Sequence, residues 1–225
     1  NVAFLFYNSD TDTDTQGRLQ LSSDLRHALE RNEFILYYQP QIDIQAGRVI
    51  GVEALIRWSH PEHGLIPPNQ FITFAERTGL INPITDWVIQ AAIMQCRAWQ
   101  AAGVELRIAI NVTARSFQDP KLVDTLESLL SGGESALPPD RLEIEITENI
   151  LMVDIEHGAK AIRRLRDLGV TVAIDDFGTG YSSLAYLKKL PIHSIKIDKS
   201  FVLNMTEDDN DAVIVRSTID LAHNL

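Results

Sequence analysis

Residues 170 to 198, VTVAIDDFGTGYSSLAYLKKLPIHSIKID, decide the fold. VTVAID and HSIKID alternate apolar and polar positions and read as strands, and the glycine-containing turn between them opens a short helix after Gly180. A strand, a helical connection and a second strand imply parallel pairing, because parallel neighbours need a long crossover. The same unit recurs upstream: ELRIAINV (105 to 112) precedes a helix near 119 to 131, and RLEIEI (141 to 146) precedes one near 155 to 168. A final helix is expected near 209 to 224. Towards the start, a helix near 19 to 32 leads into FILYYQPQIDI (34 to 44) and RVIGVEALIRW (48 to 58), which read as a hairpin around Gly47. Helices near 69 to 78 and 84 to 102 follow.

So many alternating units favour an α/β barrel of the triosephosphate isomerase type, with an open doubly wound sheet as the structural alternative. Such a barrel needs eight strands and typically about 250 residues. Six are legible in these 225 residues, so the domain is expected to span residues 18 to 225 and to lack its last two strands. Residues 9 to 17, SDTDTDTQG, read as a linker after the apolar run Val2 to Tyr7. Asp10, Asp12 and Asp14 have calcium-loop spacing, but Thr15 stands where glycine is needed and Leu21 where glutamate is needed, so that motif is rejected.

The net charge of −11 argues against a nucleic-acid polymer as partner, since such binding draws on clustered Lys and Arg. A small phosphorylated ligand remains compatible with it if cations lie between ligand and protein. The single cysteine, Cys96, excludes a disulfide framework and points to a reducing, cytoplasmic setting. No apolar run reaches the length of a membrane span, so no membrane contact is expected of this segment.

Strand parity locates the chemistry. Glu53, Leu55 and Arg57 share one face of their strand, and Asn111 lies opposite Leu106, Ile108 and Ile110. Glu143 and Glu145 oppose Leu142, Ile144 and Ile146; Asp175 opposes Val172 and Ile174; Lys196 and Asp198 oppose Ile195 and Ile197. If helices cover the apolar face, the polar set points into the barrel and gathers at its C-terminal mouth, where barrel active sites lie. An antiparallel sheet with one wet face would give the same alternation, but the long helical connections count against it. Clustered carboxylates repel by about 4 kcal/mol per pair at 4 Å and an effective dielectric near 20, so such a group must take up protons or cations. Glu53, Asn111, Glu145, Asp175 and Asp176 offer only oxygen, which suits Mg²⁺ or Mn²⁺ better than zinc or copper.

Glu53-Ala54-Leu55 with Arg57-Trp58 and His60-Pro61 resembles the signature of the EAL-domain family. The resemblance continues through Tyr38-Gln39-Pro40, Asn111-Val112-Thr113, Glu145-Ile146-Thr147-Glu148, the run from Asp175-Asp176-Phe177-Gly178 to Leu184, and Lys196-Ile197-Asp198. It implies a phosphodiesterase that opens cyclic di-GMP to linear pGpG with two Mg²⁺ or Mn²⁺ ions, in a barrel whose first strand is antiparallel to the rest. By the same resemblance, Glu53, Asn111, Glu145 and Asp175 ligate one ion, Asp175 and Asp176 hold the second, and Lys196 orients the attacking water. Glu53, Lys196 and Asp176 are thus the catalytic candidates. Gln39, Pro40, Leu55, Arg57 and Asp198 are expected to contact the ligand, with Glu143 as the alternative partner of Arg57. Glu148 is expected to anchor the loop beginning at Asp176, which in relatives takes part in dimer contacts. Relatives continue into a seventh strand bearing a further glutamate, in a pattern like AEGVE, and often follow a GGDEF domain; residues 1 to 7 read either as the tail of such an upstream domain or as an ordinary chain terminus. Two rival readings remain: a non-catalytic cyclic di-GMP receptor with the same fold, and a barrel acting on another phosphodiester or sugar phosphate.

Overall fold

The computed structural model describes residues 13–131, 137–180 and 187–224. In chain order, α1 (Thr13–Glu30) leads into β1 (Phe34–Asp43), β2 (Arg48–His60) and the short β3 (Gly64–Ile66). Then come α2 (Ile72–Thr78), α3 (Ile81–Ala101), β4 (Arg107–Asn111), α4 (Ala114–Phe117), α5 (Lys121–Leu130) and β5 (Leu142–Thr147). They are followed by α6 (Glu148–Val153), α7 (Ile155–Asp167), β6 (Thr171–Phe177), β7 (Ser194–Ile197), α8 (Lys199–Asn204) and α9 (Asp209–Asn224).

One sheet carries the order β1-β2-β4-β5-β6-β7, with β3 added to β2. β1 and β2 form the expected antiparallel hairpin, and every later neighbour along that path is parallel. This is a partial (β/α) barrel, the fold class the alternation implies. Helices cover one face: Val52, Ala54, Ile108, Ile110, Leu142, Ile144, Ile146, Val172 and Ile174 are all buried with Ile84, Ile89, Ile93, Leu126, Ile162 and Leu165 from the helices. Each such Val, Leu or Ile side chain contributes about 1.5–3 kcal/mol by leaving water. α7 shows how the helices are tied down. Asp154 caps it by accepting from the His157 amide, Ile162 and Leu165 face the core, and Arg164 pairs with Asp124 of α5 at 2.8 Å. At the hairpin end, Phe34, Trp58 and Phe71 pack as tilted or edge-on rings, and the Trp58 indole donates to Glu33.

Boundaries differ from the sequence reading where local chemistry outweighs pattern. α1 begins at Thr13, so residues 13 to 17 of the expected linker are helical backbone; Thr and Asp are residue types favoured at helix starts. α3 begins at Ile81 rather than 84, because Pro83 sits in the first turn, where its missing N–H breaks no helical bond. The helix near 119 to 131 is α5, Lys121–Leu130, and a single turn that the pattern did not show, α4, precedes it before Asp119 and Pro120. β3, α6 and α8 are too short to leave a period in the sequence. The short helix after Gly180 and most of the proposed dimer loop fall on residues 181–186, outside the described residues, as do residues 1–12. Among the described residues no helix is long and apolar enough to cross a membrane.

Candidate active site

Parity places the polar set as expected. Asn111, the last residue of β4, pairs with Glu145 of β5; Gln39 of β1 pairs with Glu53 of β2; Thr147 of β5 pairs with Asp175 of β6. Directly paired residues share a face, so Gln39, Glu53, Asn111, Glu145 and Asp175 line the side away from the helices, late in β4, β5 and β6.

One carboxylate oxygen from each of Glu53, Glu145 and Asp175 lies within 4.8 Å of the others. The Lys196 ammonium of β7 donates to all three, at 3.1 Å to Glu53 Oε2, 2.6 Å to Glu145 Oε2 and 3.1 Å to Asp175 Oδ2. Asn111 Nδ2 donates to Glu53 Oε1 at 2.7 Å, and the Asp176 amide donates to Asp175 Oδ1 at 3.0 Å. The sixth oxygen, Glu145 Oε1, is buried without a hydrogen-bond partner among the described residues. Three carboxylates against one ammonium, with an orphaned acceptor in a fully buried side chain, leave uncompensated negative charge. An oxygen-coordinated cation fits that donor set.

The protonation states follow. Burial pushes the Glu145 carboxyl up to about 7, against the opposing pull of Lys196 and with help from the charges of Glu53 and Asp175. Burial also pulls the Lys196 ammonium down, but the charges and hydrogen bonds of Glu145, Asp175 and Glu53 more than reverse this and hold it above the ordinary lysine value. Lys196 is therefore a standing cation and hydrogen-bond donor at neutral pH.

Asp176 reaches the same mouth only through a break in strand geometry. Consecutive strand residues point to opposite faces, but Asp176 takes a left-handed φ of 53°, and the β6–β7 register shifts between Ile174 and Phe177. Burial, followed by the neighbouring Asp175 and Asp198 charges, raises its pKa. Asp198 caps α8 by accepting from the amide and hydroxyl of Ser200, which lower its pKa. Parity could not have revealed this carboxyl pair, since Asp176 breaks the alternation; the DDFG run was its only signal.

Glu148 is 2% exposed, and its Oε2 accepts from the Gly178 amide at 3.1 Å, tying the turn after β6 to the start of α6. Gly178 has φ 101°, and a Cβ there would stand 2.9 Å from the Phe201 ring. Leu55 is half-buried two residues beyond Glu53 on the same face, beside a cavity of about 350 Å³ that Asn111, Thr113, Pro68, Ile72 and Ile84 also line. Arg57 makes no ion pair with Glu143 among the described residues. Its guanidinium donates to the Ile56 carbonyl and stacks 5.6 Å from the Tyr37 ring centre, while Glu143 accepts from the Ser194 hydroxyl. Pro40 stands opposite Val52, on the helix-facing side, and is not brought to the face of Gln39.

Residues 22–225 match the family profile of the EAL domain. Over 223 residues the chain is 43% identical to the bifunctional diguanylate cyclase/cyclic di-GMP phosphodiesterase MucR of Pseudomonas aeruginosa, covering 99% of this chain and 32% of MucR. It is 41% identical over 208 residues to the cyclic di-GMP phosphodiesterase NbdA of the same organism, covering 92% of this chain and 26% of NbdA. The chain thus spans about a third or less of these relatives. A solved structure of the MucR phosphodiesterase in complex with cyclic di-GMP aligns with a TM-score of 0.86 at 44% identity, covering 91% of this chain and 83% of that one. The barrel, its carboxylate mouth and these likenesses together assign the chain to the EAL domain family.

Proposed function

We propose that this chain is the catalytic segment of a phosphodiesterase that hydrolyses cyclic di-GMP to linear pGpG. The observation that carries the reading is the convergence of Glu53, Glu145 and Asp175 within 4.8 Å around the Lys196 ammonium, an all-oxygen cluster with negative charge to spare. The relatives named as cyclic di-GMP phosphodiesterases support the substrate. Glu53, Asn111, Glu145 and Asp175 would hold one divalent ion, and Asp175 with Asp176 a second; oxygen donors favour Mg²⁺ or Mn²⁺. Bound there, the ions supply an acidified water and neutralise charge building on the phosphate.

The chain's own residues do the rest. Lys196, held protonated, donates hydrogen bonds to water or phosphate oxygen and is not a base. Arg57, half-buried on the face of Glu53, would swing from the Ile56 carbonyl to fork onto a phosphate, and Gln39 and Leu55 would flank the nucleotide. Glu148 keeps the turn after β6 in place so that Asp175 and Asp176 stay aimed at the mouth. Asp198, the residue after β7, lies near Asp176 and would contact the ligand. An upstream GGDEF domain, a homodimer through the loop after Asp176 and a cytoplasmic setting belong to the same proposal.

The test is hydrolysis of labelled cyclic di-GMP by the intact protein with Mg²⁺ or Mn²⁺. We expect linear pGpG as product and its loss in Asp175→Asn. Tight binding of cyclic di-GMP without turnover would establish the receptor reading instead.

A further inference from the structure

Every oxygen in the carboxylate cluster except Glu145 Oε1 already has a hydrogen-bond donor, and three of the five occupied ones face the same ammonium. We propose that Lys196 is a resident counterion, which preforms the site by holding Glu53, Glu145 and Asp175 together and which a divalent ion must displace from those oxygens in order to bind. This rests on the metal-dependent reading above but assigns Lys196 a second task, that of setting metal affinity.

The geometry supports an exchange rather than a shared occupancy. Nζ lies 2.6 to 3.1 Å from Glu53 Oε2, Glu145 Oε2 and Asp175 Oδ2. A divalent ion would sit about 2.1 Å from the same oxygens, so ammonium and ion would be pressed together in a partly dry pocket. Mobility separates the partners. The Glu145 side chain is 0% exposed and has nowhere to go, whereas the Lys196 side chain is 28% exposed on a four-carbon stem and can withdraw towards solvent with its charge intact. Without the ammonium, the three carboxylates would repel one another across less than 4.8 Å, so the ion-free fold depends on it. The cost of the arrangement is that each divalent ion binds against a cation already in place.

Titrating the intact protein with Mn²⁺ by calorimetry, in the absence of nucleotide, tests this. Melting in chelator and in Mn²⁺ gives a second readout. Lys196→Met should melt below the wild type in chelator yet bind Mn²⁺ about tenfold or more tighter, because a nearby like charge is gone. Lys196→Arg keeps the charge and should bind no tighter than the wild type. Neutral variants that fold only when Mn²⁺ is added would also support the exchange. The inference falls if Lys196→Met binds Mn²⁺ no better than the wild type, if it melts higher in chelator, or if Lys196→Met and Lys196→Gln stay unfolded in saturating Mn²⁺. Turnover by the wild type is judged separately, so hydrolysis with an unchanged Lys196→Met affinity would sink this inference and leave the proposed function standing.

Discussion

Glu145 carries the pH dependence of the site at the scale of a single residue. Its carboxyl is pushed up to about 7 by burial, so below that value the ion-free protein holds a proton that a metal must expel. The sign is fixed: apparent divalent affinity should fall about tenfold per pH unit as pH drops below about 7, and level off above it, since one proton competes for one carboxylate. Calorimetry with Mn²⁺ from about one and a half pH units below that midpoint to about one and a half above it checks this; a flat profile would contradict it. Glu145→Gln should flatten the dependence and weaken binding together, because the amide can neither titrate nor supply the charge. The type of residue at this position was legible in RLEIEI, and so was its face. That its second oxygen would be buried and unpartnered was not, because burial depends on which strands and helices close over it.

The turn after β6 is where an element, rather than one side chain, decides function. Gly178 combines φ 101° with a ring 2.9 Å from where a Cβ would be, so Gly178→Ala should cost about 1–3 kcal/mol. Urea unfolding would measure that loss, and adding Phe201→Ala should relieve the clash while leaving the backbone strain. Glu148→Ala strips the Gly178 amide of its buried acceptor and should cost about 1–3 kcal/mol with a parallel drop in turnover. Glu148→Gln keeps a carbonyl acceptor and should lose less on both counts. Read without the family resemblance, Gly178-Thr179-Gly180 is only a tight turn capping a helix, and it is the resemblance that names Glu148 as its anchor. What the turn does depends on the left-handed Asp176 and the β6–β7 register shift, both of which break the alternation by which strands are read.

Across the whole molecule, the site joins β2, β4, β5, β6 and β7, so an ion there should brace the sheet as a unit. We expect Mg²⁺ or Mn²⁺ to raise the melting temperature, with stabilisation of about 2.7 kcal/mol at one hundred times the dissociation constant. A chelator should reverse it, and Asp175→Asn should remove most of it; a melting curve indifferent to divalent ions would argue against a shared site. The sequence by itself determined the alternation of strands and helices, the hairpin at the start, the polar face of each strand and the oxygen-only donor set, because period and residue type are local properties of the chain. Only the tertiary structure decided that Lys196 sits among three carboxylates, that Asp198 lies near Asp176, that Arg57 turns to Tyr37 rather than Glu143, and that Pro40 faces the helices. Glu53 and Lys196 are 143 residues apart in the chain, and a contact across that span depends on the register and curvature of the strands between them, which no local pattern encodes.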